Sequence, residues 1–413
     1  MDIKNVFLEI LREGLQGRSA GFAWELTLEE WEEIFRLAQI HKLLPLVYNA
    51  VCSRPDLQKI GPAELRLKSL ARSQVAKQVL RTEGFFELNC RLQEAGVRPL
   101  VVKGITCRSL YPEPDLRSSS DEDLLIRDSD FEICHQIMTE LGLQTEKSSE
   151  EMKDAYEIPY RKAGGMLYIE LHRNLFPPDS RAYGSLNGFF DGVFERAEVQ
   201  EIQGNTVWTL APTDHLFYLI CHAFKHFLHS GFGIRQICDI VLYANQYGVR
   251  IDWQQIQTDC RRIRGEKFAA AIFRIGEKYL GFDPIRAACP TVWRHIPVNE
   301  QPMLEDLLSG GIYGGATMSR KHSSNITLEA VAAQKEGRKK KNSLLVSLFP
   351  PSEKLEGRYP WLKRRPWLLP AAWVNRLVSY SAKLDKTGQN SASHALKIGN
   401  ERTELLKEYG ILE

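Results

Sequence analysis

Two aspartates at alternate positions, Asp121 and Asp123, stand immediately before the apolar run Leu124-Leu125-Ile126. In an extended strand, side chains two apart leave the same face, about 6.5–7 Å from one another along the chain. Two carboxylates on one face repel each other unless a cation lies between them, and hard oxygen ligands suit Mg²⁺ or Mn²⁺. A third acid, Glu170, sits inside Met166-Leu167-Tyr168-Ile169-Glu170-Leu171-His172, a second apolar stretch. An unpaired carboxylate is costly there. Three carboxylates on two neighbouring strands are what two-metal phosphoryl transfer requires. In such sites ions about 3.5–4 Å apart activate an attacking hydroxyl and neutralise the leaving group. Exposed acids at a strand entrance are the ordinary alternative for Asp121 and Asp123 taken alone.

Weaker signals surround this set. Arg117 could hold a phosphate or pair with Asp115 or Glu113 on the surface. Ser118, Ser119 and Ser120 form a loop whose hydroxyls could donate to phosphate oxygens. His172 follows Glu170 by two and so shares its face, as a partner of the acids, a substrate contact or a structural histidine. His222 and His226 lie four apart on one helix face, with His229 about a turn on. That spacing can bind zinc and would fit a metal-dependent phosphohydrolase of another fold. No glutamate follows His222, however, as the zinc-protease motif demands, so packing or hydrogen bonding to the acidic module is expected instead. Lys103 and Lys225 are candidate triphosphate contacts.

These residues need a scaffold, and the chain changes period where they occur. Residues 1–95 read as a helical region, ending in a long amphipathic stretch over 63–95 stopped by Gly96. A small mixed α/β core follows over 96–211. Its elements are a strand at Val97–Val102, a short helix at Ile105–Leu110, a strand at Asp121–Ile126, a helix near Asp128–Leu141 and a strand at Met166–His172. A further strand is expected at Val207–Leu210. Residues 212–285 read as a helical domain whose first helix is capped by Thr213-Asp214. Residues 286–413 read as an irregular tail, with a flexible basic loop near 310–343 containing Gly310, Gly311, Gly314, Gly315 and the run Arg338–Lys341. The fold class is α+β: a small mixed-sheet core flanked by N-terminal and C-terminal helical regions. No internal repeat is visible.

Composition narrows the class further. The 413 residues imply two or three units. With 54 Lys and Arg against 52 Asp and Glu, there is no global push toward nucleic acid or membrane. The basic run Arg338–Lys341 and the pair Arg364-Arg365 read as solvated loop. Eight scattered cysteines without a CxxC argue against a disulfide framework or a zinc knot. The N-terminus is amphipathic rather than signal-like, and no run reaches the roughly 18 apolar residues of a membrane span, so a cytoplasmic protein is expected.

Several of these segments, in order, resemble an uncharacterised bacterial nucleotidyltransferase family of the DNA polymerase β superfamily. They are Val101-Val102-Lys103-Gly104, Tyr111-Pro112, Arg117, Ser120-Asp121-Glu122-Asp123-Leu124-Leu125-Ile126 and Ile169-Glu170-Leu171-His172. Later segments, His222-x3-His226, Asp239-Ile240 and Tyr359-Pro360 through Leu368-Leu369-Pro370, are similar too. The resemblance implies that Asp121, Asp123 and Glu170 hold Mg²⁺ or Mn²⁺. It also implies that Gly104 forms a phosphate-cradling turn with Lys103 as a phosphate contact; Arg117 and Ser120, from their own chemistry, are further candidate nucleotide contacts. Two departures stand out. Lys103-Gly104-Ile105-Thr106 replaces the usual glycine pair, and Glu122 stands between the aspartates where an apolar residue is usual. Alternation sends Glu122 to the opposite face, toward solvent or a basic neighbour.

The implied activity moves a nucleoside monophosphate from an NTP, ATP among them, to an acceptor hydroxyl or phosphate, with release of pyrophosphate. The acceptor would be a small molecule, sugar, peptide or protein, and nucleic acid is less favoured because phosphate tracking needs a basic groove. The alternative is a catalytically degenerate nucleotide-binding sensor or scaffold of the same fold.

Overall fold

The structure is a computed structural model. It describes residues 2–229, 231–310, 318–336, 352, 355, 359–363, 365–381 and 392–413. The chain divides into two compact units, one of residues 1–223 with 233–300 and the other of residues 224–232 with 301–413.

The first unit begins with helices α1 (Ile3–Leu15), α2 (Leu28–Ile40), α3 (Leu44–Val51), α4 (Pro55–Lys59) and α5 (Pro62–Glu94). Thr27 starts α2 with a reciprocal capping box to Glu30, which satisfies two N–H groups that the helix itself cannot pair. Pro62 opens α5, and its 33 residues end before Gly96, whose φ of 81° only glycine adopts readily.

Next come β1 (Leu100–Val101), α6 (Ile105–Arg108), β2 (Glu122–Leu125), α7 (Phe131–Glu140), β3 (Leu143–Gln144), α8 (Ser149–Asp154), β4 (Glu157–Lys162) and β5 (Tyr168–His172). The five strands form one sheet in the order β1-β2-β5-β4-β3. Strands β2 and β5 are parallel, and every other pairing is antiparallel. Period two then divides the sheet. Leu124, Ile126, Ile158, Tyr160, Ile169 and Leu171 join Phe85, Leu88 and Leu92 of α5 and Phe131, Ile137 and Met138 of α7 in one core. Each fully buried aliphatic side chain there contributes about 1.5–3 kcal/mol. The opposite face carries Asp123, Glu170 and His172. The sheet core thus anchors the strands whose other face bears the acids.

After α9 (Val193–Arg196), strands β6 (Glu198–Ile202) and β7 (Asn205–Thr209) make a separate antiparallel hairpin. Helices α10 (Pro212–His229), α11 (Ile234–Tyr247), α12 (Trp253–Arg262), α13 (Glu266–Ile275) and α14 (Val292–His295) follow. Thr213 and Asp214 do not cap α10 from outside, because the helix begins one residue earlier at Pro212. Thr213 instead accepts the Asp252 N–H at 2.9 Å, and Asp214 accepts Arg196 Nε at 2.9 Å.

In the second unit, α15 (Gln301–Gly310), α16 (Met318–Lys335) and helices over Leu369–Ser381 and Ala392–Glu408 replace the irregular tail read from the sequence. The reason is tertiary. Ile326, Ala330 and Val331 are buried on a largely polar helix, and Arg402 pairs with Asp306 at 2.9 Å. Gly311, Gly314, Gly315, the run Arg338–Lys341 and Arg364 lie outside the described residues. No helix among the described residues is long and apolar enough to cross a membrane.

One buried ion pair ties the sheet to α11. Arg117 donates to both carboxylate oxygens of Asp239, at 2.7 and 2.6 Å, and Tyr111 Oη donates to the same carboxylate at 2.8 Å. Both charged side chains are nearly inaccessible. Removing one partner strands the other charge in the interior, at a cost of about 3–5 kcal/mol. Asp239→Ala should therefore shift the urea unfolding midpoint strongly downward, by far more than the surface change Asp252→Ala. Equal midpoints for the two variants would contradict the tie.

Candidate active site

The parallel register of β2 and β5 sets Asp123 directly beside Glu170. Like charges in facing positions on adjacent strands are destabilising. His172, two residues on from Glu170, brings its Nε2 to 3.5 Å from Asp123 and 3.8 Å from Glu170. Glu157, the β4 register partner of His172, lies 3.8 Å from its Nδ1. One ligand atom each from Asp123, Glu170 and His172 falls within 4.8 Å of the other two. Asp121, just ahead of β2, lies outside that trio, although its charge acts on both Glu170 and Lys103. Among the described residues, neither His222 nor His226 belongs to such a group.

The charges are strongly coupled. Burial would raise the Asp123 carboxyl, but the Lys103 ammonium 3.3 Å away, together with His172, holds it well below the ordinary carboxylate range. Burial works against the charge on Lys103, and Asp123, Asp121 and Glu170 outweigh it, so the ammonium stays charged. Glu170 goes the other way. Burial and the neighbouring Asp123, Asp121 and Glu157 push it up to about 8. A single lysine does not balance so many carboxylates. Both ring nitrogens of His172 are buried without a hydrogen bond, and Asp123 Oδ2 meets only the Lys103 ammonium, an ion pair at 3.3 Å without hydrogen-bond geometry; buried polar atoms left so are rare. An imidazole without a hydrogen bond, beside an incompletely neutralised carboxylate and a carboxyl that resists ionisation, fits a divalent cation held by Asp123, Glu170 and His172.

Below this face lies the unusual Glu122. It points to the opposite side of the strand, as alternation requires, and meets a basic neighbour rather than solvent. Arg108 donates to it at 2.5 Å, with both side chains fully buried. The other oxygen, Oε2, accepts the Ile105 N–H at 2.7 Å. Gly104 turns with a φ of 66°, and a Cβ there would stand 1.9 Å from Glu122 Oε2. The glycine is therefore required by this carboxylate, which occupies the first N–H of the turn. Burial keeps Glu122 above its ordinary range against the pull of Arg108 and Ile105.

Four arginines fix the serine loop that leads into Asp121. Arg108 Nη1 donates to Ser119 Oγ at 2.6 Å. Arg81 donates to the Ser119 carbonyl and to the Met166 carbonyl, the latter at 2.9 Å, and so links the approaches to β2 and β5. Arg235 donates to the Ser118 carbonyl. Arg117 anchors the same segment through Asp239 and pairs with neither Asp115 nor Glu113. Gln78 accepts the Ser119 N–H at 2.9 Å. Ser120 is half-buried between this loop and Asp121.

On α10, Lys103 Nζ donates to His222 Nε2 at 3.3 Å, so this histidine hydrogen-bonds to the acidic module. Lys225, His226 and His229 fall in the second unit. Residues that a sequence reading passes over are Arg108, Glu157, Arg81 and Arg235. Arg108 had a signal, since a glutamate inside an otherwise apolar strand calls for a buried cation.

Glu170 gives the site a pH signature. Its ordinary value is 4.5 and its value in the fold about 8. Between those limits the folded chain holds a proton that the unfolded chain releases, so this group's stabilisation is complete below about 4.5 and declines as pH rises toward about 8. Metal-free Glu170→Gln should lose that decline, and Mn²⁺ should suppress it in the unaltered protein. Melting temperatures across the window check this; identical pH slopes for the two proteins would contradict the assignment.

Comparison with known proteins adds one match. Residues 27–281, more than half of the chain, fit the family described as an uncharacterised nucleotidyltransferase. No curated protein and no solved structure matches. The matched span contains the sheet, Asp121, Asp123, Glu170, His172 and His222, and on that extent the chain belongs to this uncharacterised nucleotidyltransferase family.

Proposed function

We propose that the protein transfers a nucleoside monophosphate from an NTP to an acceptor hydroxyl or phosphate, releasing pyrophosphate, with Mg²⁺ or Mn²⁺ as the cofactor. The observation that carries this reading is the in-register pair Asp123 and Glu170, with His172 at ligand distance from both. Asp123, Glu170 and His172 hold the cation, and Asp121 faces the same site from the strand entrance. When bound, the divalent cation lowers the pKa of the attacking hydroxyl and neutralises charge on the phosphates. An imidazole among the ligands favours Mn²⁺ over Mg²⁺.

The protein's own groups supply positioning and charge. Lys103, held charged by the carboxylates, is the cation nearest to Asp123 and the natural partner of an α-phosphate oxygen. Glu170, whose proton affinity is raised in the metal-free site, would release its proton on binding the cation, because a ligating carboxylate is ionised. The buried Arg108–Glu122 and Arg117–Asp239 pairs keep the strand entrance rigid, so these groups need no rearrangement during transfer.

A nucleotide-binding sensor of the same fold is the second reading. It is favoured by the Lys103 ammonium, which already offsets part of the Asp123 charge. Turnover separates the two. Purified protein is incubated with each of the four NTPs, Mn²⁺ or Mg²⁺ and cell extract, and pyrophosphate release and the fate of α-labelled nucleotide are followed. We expect label transfer by the unaltered protein and a loss of at least about 100-fold in Asp123→Ala with its circular dichroism retained. Undiminished transfer by Asp123→Ala would remove the site; NTP binding without turnover would leave the sensor.

A further inference from the structure

The long helix α5 is buried along one side only. Ala71, Gln78, Thr82, Phe85 and Leu92 turn inward. On the opposite side Leu65, Arg72, Ala76, Val79, Glu83 and Cys90 are all exposed. Their steps of three, four and seven keep them on one stripe of the helix. Leu80 borders the stripe; it and Leu65 are 61% and 62% exposed. Apolar side chains gathered on one helix face ordinarily meet a core, and a group of them left in water marks an interaction surface.

The charges along this surface are sorted by sign. Arg66, Lys68 and Arg72 lie on the N-terminal side of Ala76, Val79 and Leu80, and Glu83 and Glu87 lie on the C-terminal side. None of these five charged side chains forms an ion pair among the described residues. Lys68 and Arg72 are four apart, as are Glu83 and Glu87. Like charges at that spacing destabilise a helix standing alone. Both repulsions vanish if the basic end of one such helix lies along the acidic end of another.

The same helix in a second copy supplies that arrangement. Lay two α5 helices antiparallel with a two-fold axis level with the Lys77–Gln78 bond. Arg72 of each copy then faces Glu83 of the other, and Arg66 lies across from Glu87. Val79 meets Ala76 at the centre, and Leu65 meets Cys90 at each end. The symmetry makes every contact twice. Parallel packing would instead set Arg72 on Arg72 and Glu83 on Glu83, which charge forbids.

We propose that the exposed face of α5 binds the same face of a second copy of this chain, antiparallel, in a two-fold dimer. Residues 65–90 provide about 37 Å of contact length at 1.5 Å per residue. The apolar centre supplies the attraction, and the flanking pairs fix direction and register.

Sedimentation velocity of the full chain over a concentration series is the test. We expect a reversible dimer of the 47.2 kDa chain. Arg72→Glu and Glu83→Arg should each raise the dissociation constant at least about tenfold, with circular dichroism unchanged because both positions are exposed. Combining the two should restore the dimer, since the exchanged charges meet again. Direction has its own readout in mild oxidation with diamide. It should link Leu65→Cys protein into a covalent dimer through Cys90 of the other copy. The unaltered protein should stay unlinked, because its two Cys90 thiols would lie about 37 Å apart. A dimer indifferent to both single variants, or a combined variant as dissociated as either one, would overturn the proposal. Cross-linking of the unaltered protein through Cys90 would overturn the antiparallel arrangement. A monomer throughout the series would give the face to a different partner.

Discussion

Asp123 and Glu170 are forced together by backbone hydrogen bonding. Parallel pairing of β2 with β5 leaves no freedom to separate them, because a one-residue slip would turn Leu124, Ile169 and Leu171 out of the core. The hydrophobic side of the sheet therefore enforces an electrostatic conflict on the other side. Lys103 relieves part of it, and Glu170 relieves part by resisting ionisation. The remainder, visible in the His172 nitrogens that make no hydrogen bond, is what the proposed cation would neutralise.

A second layer of buried charge keeps that conflict in place. Glu122 sits where an apolar residue would be simpler, and its cost is offset by Arg108 and the Ile105 N–H. The same carboxylate makes Gly104 obligatory and ties the end of β1 to the start of β2. Arg117 and Asp239 do the equivalent work between the loop and α11. Such pairs add little net stability compared with apolar packing, but they define one geometry, since a displaced partner is left charged and dry.

Much of this was legible in the residues. The alternation of Asp121-Glu122-Asp123 assigned Glu122 to the far face, and apolar flanks located β2 and β5 to within two residues at each end. The helix over 63–95 was equally plain, because helix formers dominate it as far as Gly96 despite Gly84 in its interior. Pairing order was not legible. Nothing local reveals that β5 lies between β2 and β4, or that Glu157 thereby faces His172. The partner of Arg117 was hidden for the same reason, being Asp239 on a distant helix rather than the acids next to it in the chain. The helix α16 escaped notice because its few apolar residues matter only against another helix of its own unit.

The central claim is that Asp123, Glu170 and His172 share one divalent cation. Electron paramagnetic resonance of Mn²⁺ titrated into the protein tests it most directly. The account predicts a bound ion with hyperfine coupling to a single imidazole nitrogen, that coupling vanishing in His172→Ala and the bound signal itself in Asp123→Asn. Mn²⁺ bound with unchanged affinity in Asp123→Asn, or bound without any nitrogen coupling in the unaltered protein, would contradict it.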